Sequence, residues 1–246
     1  MGRVSGLTYT HPRGRAVYSG VGDSLGPPVA GFFAWYDASA ITGLADGAAV
    51  ASWSDGSGNG YTASQGTAGQ RPAYYKTTAG NLINGLPTVK YTGASNQILN
   101  ATVASISQPV TVAAVIKGTL SPANSAWFSV NATPILGFLA SAGPLYKFGG
   151  GATVQGGVPT TAAHTVVCNC TTAGTSSVIR VDGTQVATGN AGTSTGGTTL
   201  SLGGWTGSAT FAWDGLLAEI VFYGSSLVLA DMQSVEAYLK AKWGTP

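Results

Sequence analysis

Seven short runs of strand-forming residues recur along this chain, at 32–36, 88–91, 110–116, 164–167, 177–181, 198–202 and 216–223, with turn signals and no helical period between them. That rhythm constrains the fold more than any single motif. Strands joined by turns instead of helices pair antiparallel, bury one face of each sheet, and stack. The 37 glycines supply the turns, and 246 residues are enough for one large sandwich with its own core. Within the pattern, 178–181, Asp182-Gly183 and 185–187 read as a hairpin, because Asp-Gly takes the positive φ angles of a tight primed turn. Near the C-terminus the apolar period changes from two to about 3.6. Met232, Val235 and Leu239 fall on one face with Tyr238 and Trp243 at its margins, which predicts a helix over about 229–243. Lys240 and Lys242 stand in its last turn, where the helix dipole favours cations, and Gly244 stands at the C-terminal cap. Trp35, Trp53, Trp213 and Trp243 are expected in the core.

Charge is scarce: 8% of residues, against about 25% in an ordinary soluble domain. Eleven basic and nine acidic side chains leave a formal charge of +2, too little and too dispersed for a phosphate-neutralising surface, so nucleic acid is excluded as a partner. A neutral polar surface gives little colloidal repulsion and suits a multicopy or homo-oligomeric subunit of an assembly. No run approaches the ~18 apolar residues of a membrane span, and the N-terminal stretch carries no apolar segment of secretory type, which predicts no membrane insertion and synthesis in the cytoplasm. Residues 1–27 differ from the remainder. Arg3, Arg13 and Arg15 occur there among glycines, and Pro27-Pro28 closes the stretch, so it is expected to be an extended basic arm preceding a domain over 28–246. Cys168 and Cys170 fall on the same face of one strand as buried, reduced thiols, and with His11 and His164 as the only histidines no four-ligand zinc set can be built.

Several segments carry, in order, a family likeness. They are 35–39 (Trp-Tyr-Asp-Ala-Ser), Trp53-Ser54-Asp55 running into Ser57-Gly58-Asn59-Gly60, Arg71-Pro72, 84–93 (Asn-Gly-Leu-Pro-Thr-Val-Lys-Tyr-Thr-Gly), Val181-Asp182-Gly183, Leu202-Gly203-Gly204, 214–220 and the closing Lys242-Trp243-Gly244. Together, over about residues 32–244, they resemble the laminin-G-like branch of the concanavalin A-like lectin/glucanase superfamily. The resemblance implies an all-β, two-sheet antiparallel jelly-roll sandwich closed by the C-terminal helix. Val228 departs from the pattern, standing where such domains place a Ser or Thr helix cap.

Enzymes of that superfamily hydrolyse glycans with two closely spaced carboxyl groups. The acids here are Asp23, Asp37, Asp46, Asp55, Asp182, Asp214, Glu219, Asp231 and Glu236, and no two are two residues apart, so a non-enzymatic chain is expected. Glu219, alone within an apolar strand, is expected to bond to backbone or arginine. No nucleophile-histidine-carboxylate, phosphate-loop or metalloprotease motif is present. The resemblance implies a calcium ion, for which Asp55 and Asn59 supply oxygens in a glycine-rich loop, although the loop carries fewer carboxylates than a usual calcium loop and turn-making by Asp55, Gly58 and Asn59 is the favoured reading. Glycan recognition would use exposed aromatic rings, and Tyr61, Tyr74, Tyr75, Trp127 and Trp205 lie near turns. Laminin-G-like domains of this style occur in tailed bacteriophages. The resemblance therefore implies a virion structural protein, a minor tail or head-decoration protein made in the host cytoplasm. It would dock to other virion proteins through the arm and present the lectin fold to host-surface glycans. The alternative is a carbohydrate-binding module of a cellular protein.

Overall fold

The computed structural model describes residues 26–118, 125–130, 135–140, 145–172, 174, 176–194, 196–205 and 211–246, and the backbone alone of 9–10, 16–17, 135–140 and 145. Arg3, Arg13 and Arg15 of the expected arm lie outside the described residues. In chain order the strands are β1 (Tyr9–Thr10), β2 (Ala16–Val17), β3 (Phe32–Asp37), β4 (Ser52–Trp53), β5 (Ala63–Ser64), β6 (Ala73–Tyr75), β7 (Thr88–Tyr91), β8 (Leu99–Ile106) and β9 (Val110–Gly118). They continue as β10 (Ser125–Val130), β11 (Ile135–Ala140), β12 (Leu145–Gly150), β13 (Thr153–Gly156), β14 (His164–Cys170), β15 (Ser177–Val181), β16 (Thr184–Gly189), β17 (Gly197–Leu202) and β18 (Gly215–Tyr223), and helix α1 (Leu229–Trp243) follows.

Two antiparallel sheets form the sandwich of the expected jelly-roll class. One has the order β13-β12-β11-β10-β17-β8-β5-β4, and the other β16-β15-β14-β9-β18-β7-β6 with β3 also on β18, while β1 and β2 pair with each other. β18 organises the second sheet: β9 runs along one edge from Gly215 to Tyr223, and the other edge is divided between β7 at 215–217 and β3 at 219–223.

The central strands of that sheet are buried on both faces. Ala114, Ile116, Val166, Cys168, Ile220 and Phe222 face the other sheet across the main core, where they join Leu99, Trp127, Phe128, Leu200 and Leu202. On the opposite face Ala113, Val115, Val167 and Val221 pack under Met232, Val235, Leu239 and Trp243 of α1. Two-sided burial turns an alternating pattern into a continuous apolar run, which is why 110–116 and 216–223 read so clearly as strands. The two cysteines share the inter-sheet face, as their spacing predicts.

A β-bulge sets the direction of the acid in β18. Leu217 pairs with Ile116 and Glu219 pairs with Val115, leaving Ala218 unpaired in the register. Strict alternation would aim Glu219 with Leu217 at the inter-sheet core. The extra residue instead puts it on the helix side, where its carboxylate is fully buried and takes four donors. Trp35 Nε1 and Tyr238 Oη reach Oε1 at 2.8 and 2.7 Å, and Lys242 Nζ and Trp243 Nε1 reach Oε2 at 2.8 and 2.7 Å. The expected backbone or arginine partners are therefore replaced by two indoles, a phenol and an ammonium. A second buried pair fixes the other half of the helix: Arg180 grips Glu236 in bidentate fashion at 2.8 and 3.0 Å and bonds the Gly183 carbonyl at 2.5 Å.

The local signals agree with this packing. Asp182 and Gly183 have φ of 51° and 87°, as a primed turn requires. Gly244 caps α1 at φ 63° with its N–H on the Lys240 carbonyl, whereas Val228 offers no side-chain cap. Close contacts cover the sheet edges at β13 and β16 and at β6. Gly156 approaches β16 so closely that a Cβ there would lie 2.5 Å from the Val186 carbonyl oxygen, and the chain at 47–50 bonds along β6.

Trp243→Ala removes a fully buried indole and one of the Glu219 donors, and is expected to cost about 3–5 kcal/mol in denaturant unfolding. Glu219→Gln replaces two acceptor positions by a donor facing Lys242 or Trp243, with an expected cost also of about 3–5 kcal/mol. A loss below about 1 kcal/mol for either would mean that α1 docks without this carboxylate.

Burial holds the Cys168 and Cys170 thiols above their ordinary 9.0, and the Tyr36, Tyr91, Tyr146 and Tyr223 phenols above their ordinary 10.0. These groups keep their protons in the folded state and release them at the ordinary values when unfolded. Their stabilising contribution is thus complete below pH 9.0 and is lost as pH rises through the raised values. Melting temperature should be flat from neutrality to about pH 9 and fall steadily above it, and an unchanged temperature at pH 11 would contradict the burial of these groups.

Candidate functional site

Where β3 leaves the second sheet, the chain folds back through 38–56 and encloses an open groove of about 340 Å³. Asp37, Ile41, Thr42, Leu44, Ser52 and Asp55 are among its lining residues. Asp37 ends β3 and caps the short turn at 38–40: its Oδ1 accepts the Ser39 N–H at 2.8 Å and the Ser39 hydroxyl at 2.6 Å. Its Oδ2 meets Lys242 Nζ at 2.6 Å, and the same ammonium bridges to Glu219. A carboxylate offers about four acceptor positions, so one on Asp37 Oδ2 is left over.

Asp55 has none to spare. Its Oδ1 accepts the N–H groups of Trp35 and Ser57 at 2.9 and 2.8 Å, and its Oδ2 accepts the Ser57 hydroxyl and the Tyr61 N–H at 2.6 and 3.1 Å. Asn59 donates its side-chain amide to the Phe33 carbonyl at 2.9 Å. A cation would have to displace four donors to reach Asp55, so these residues do not fit the calcium site that the family resemblance implies. The loop is instead pinned to β3 by side-chain-to-backbone bonds. Among the described residues, no group of three or more His, Cys, Asp or Glu side chains is placed to hold a metal.

The five aromatic candidates separate. Tyr74 and Trp127 are core residues, 2% and 1% exposed, and present no ring to a ligand. Tyr74 lies on β6 between two residues of the opposite face, and alternation sends it inward with its hydroxyl on the Ile41 carbonyl at 3.2 Å while Tyr75 stays on the rim. Trp127 lies at a bulge in β10, where the register skips from Ala126 to Phe128, so both aromatic neighbours enter the core at a ring separation of 4.6 Å. Tyr61, Tyr75 and Trp205 are half-buried. They do not converge: Tyr61 precedes β5, Tyr75 ends β6 with Lys90 Nζ 5.8 Å above its ring, and Trp205 follows β17 and packs edge-on to Phe211. Of the tryptophans expected in the core, Trp53, Trp213 and Trp243 are fully buried, whereas Trp35 is only partly so.

One cluster has no counterpart in the sequence motifs. His164 Nδ1 meets Asp182 Oδ2 at 2.6 Å, and His164 Nε2 meets the Thr160 hydroxyl at 2.7 Å. Hydroxyl, imidazole and carboxylate in line is the connectivity of a nucleophilic triad. Here the Asp182 backbone forms the hairpin turn, its Oδ1 takes the Thr165 N–H at 2.9 Å, and the Thr160 hydroxyl closes a local turn by accepting the Ala162 N–H at 3.1 Å. The chain of bonds fastens the loop before β14 to the β15–β16 turn.

No protein-family model matches the sequence, and no curated protein matches it. Solved structures do share the fold. Trypanosoma rangeli sialidase in complex with sialic acid superposes with a TM-score of 0.57 at 14% identity, over 93% of this chain and 35% of that one. Domain 4 of AbnA, a GH43 extracellular arabinanase from Geobacillus stearothermophilus in complex with arabinotriose, superposes with a TM-score of 0.54 at 15% identity, over 84% of this chain and 98% of that one. The chain thus spans about a third of the sialidase and nearly all of the arabinanase domain. At these identities the likeness establishes the fold alone, a two-sheet antiparallel β-sandwich.

The saturated Asp55 gives a direct expectation for calcium. Neither millimolar calcium nor a chelator should move the melting temperature, because a ligand binding only the folded state at 100 times its Kd would add about 2.7 kcal/mol and raise it visibly. Asp55→Ala should lower it with or without the ion, and a calcium-dependent rise in the unsubstituted protein would restore Asp55 and Asn59 as ligands.

Proposed function

We propose that this chain is a non-enzymatic, lectin-like module that engages glycans and is carried in many copies on a tailed-bacteriophage virion, as a minor tail or head-decoration protein. The observation that carries the glycan reading is the superposition over nearly the whole of an arabinanase domain whose structure holds arabinotriose. The groove beside β3 supports it, since it is lined by hydroxyl, carboxylate and aliphatic groups on a rigid sheet end.

The non-enzymatic reading rests on the state of the acids. Glu219 is enclosed by four donors, Asp37 is held by Ser39 and Lys242, Glu236 is paired with Arg180, and Asp182 is locked into its turn. Each of these carboxylates is engaged by fixed donors, three of them by a cation or four-donor shell, which is the arrangement of a positioning group and not of a general acid or a glycosyl nucleophile. The virion reading draws on the laminin-G-like resemblance and the low charge. It also draws on Arg3, Arg13 and Arg15, which offer multidentate donors for docking to other virion proteins. A carbohydrate-binding module of a cellular protein is the second reading, and one observation favours it: the two superposed structures described above come from a sialidase and an arabinanase, and the sialidase chain is about three times as long as the matched region.

Mass spectrometry of purified particles separates the two, and its absence from them would end the virion reading. Removing residues 1–26 should leave the melting temperature of the sandwich nearly unchanged and abolish incorporation into particles. Full occupancy by the truncated chain would place the docking surface on the sandwich.

A further inference from the structure

The geometry points to the groove at the end of β3 as the glycan site and to uncharged, hydroxyl-rich sugars as its ligand class, with acidic glycans excluded. This rests on the lectin reading above and deepens it. A volume of about 340 Å³ is at the small end of ligand pockets and takes one or two sugar units. Its two carboxylates are held in place before any ligand arrives. Asp37 is fixed by Ser39 on one oxygen and Lys242 on the other, with one acceptor position left on Oδ2, and a sugar hydroxyl can donate there. Ser52 and Thr42 are exposed lining residues, and half-buried Ile41 and Leu44 give an aliphatic surface for the C–H face of a ring.

The charges around it decide the class. Asp37 and Asp55 line the groove, Glu219 lies behind Asp37 on the paired strand, and Asp46 stands at the Leu44 end. Against these four carboxylates are two ammonium groups. Lys242 is held between Asp37 and Glu219, and Lys76 is tied to the Leu44 carbonyl at 2.7 Å beside Asp46. The groove therefore keeps a negative excess in which a sialic acid or uronate carboxylate is repelled, and no arginine in the lining offers it a bidentate partner. Specificity against acidic sugars comes from this repulsion, while the sandwich itself is shared with a sialidase.

The test uses the full chain, biotinylated and tetramerised on streptavidin, on an array carrying neutral arabinan, galactan and glucan fragments beside sialylated and uronate-containing ones. Neutral oligosaccharides should bind, and acidic counterparts should bind at least ten-fold more weakly, with the gap narrowing at high salt. Ser52→Trp and Thr42→Trp, both at exposed positions, should each lower neutral binding at least ten-fold with unchanged melting temperature, while Tyr75→Ala and Trp205→Ala stay within two-fold. Acidic glycans bound as strongly as neutral ones would overturn the assigned class. Neutral binding retained by both tryptophan variants would overturn the groove and leave the lectin reading intact, whereas no binding to any glycan would overturn both.

Discussion

A carboxylate with no water around it must have its negative charge met by donors from the protein, and Glu219 is such a group at the centre of β18. Its donors come from two separate parts of the chain: Trp35 on β3, and Tyr238, Lys242 and Trp243 on α1. The acid is satisfied only when β3 has paired with β18 and the last turns of the helix lie across both. Burying Glu219 unpaired would cost several kcal/mol, so the requirement joins three elements separated by nearly the whole sequence into one cooperative unit. The bulge at Ala218 belongs to the same arrangement, because without it the carboxylate would face an inter-sheet layer of Ile, Val and Phe side chains.

The same ammonium that completes the Glu219 shell reaches forward to Asp37. Helix docking and the orientation of the groove carboxylate are therefore set by one side chain. Asp37 is oriented from behind by Lys242 and from the side by Ser39, and Asp55 locks the facing loop to β3. In the proposed glycan site, a sugar would meet acceptors that need not reorganise, which is the usual means by which weak polar contacts become selective.

Much of the fold could be read from the residues, and the reason is physical. Strands β9, β14 and β18 are buried on both faces, so they appear as continuous apolar runs. Asp182-Gly183 fits only a primed turn, and α1 shows its period of 3.6 with Gly244 beyond it. The other sheet was less legible: β8 alternates between buried and exposed residues over Leu99–Ile106, and β10 carries Ser and Ala among its buried positions. The site was less legible still. Nothing local marks Tyr74 as inward and Tyr75 as outward, or Trp127 as bulged into the core, since both depend on register with a partner strand. The donors of Glu219 were visible as residues but not as a set, because their meeting depends on a one-residue bulge and a helix more than 190 residues from β3.

The low charge of the chain takes a different meaning once its acids are placed. Asp37, Asp46, Asp55, Asp182, Glu219 and Glu236 each hold specific donors, and they are six of the nine acids in the sequence. Asp231 sits in the first turn of α1, where the dipole favours it and where Val228 supplies no cap. Even Asp46, only half-buried, has its carboxyl held below the ordinary range by the Thr78 hydroxyl and the Lys76 and Thr77 N–H groups. These six acids fasten loops, turns and the helix to the sheets, and hydroxyl and amide groups make up much of the remaining polar surface. Such a surface neither attracts polyanions nor repels its own copies strongly. Those properties suit the densely packed, neutral-glycan-binding module proposed above.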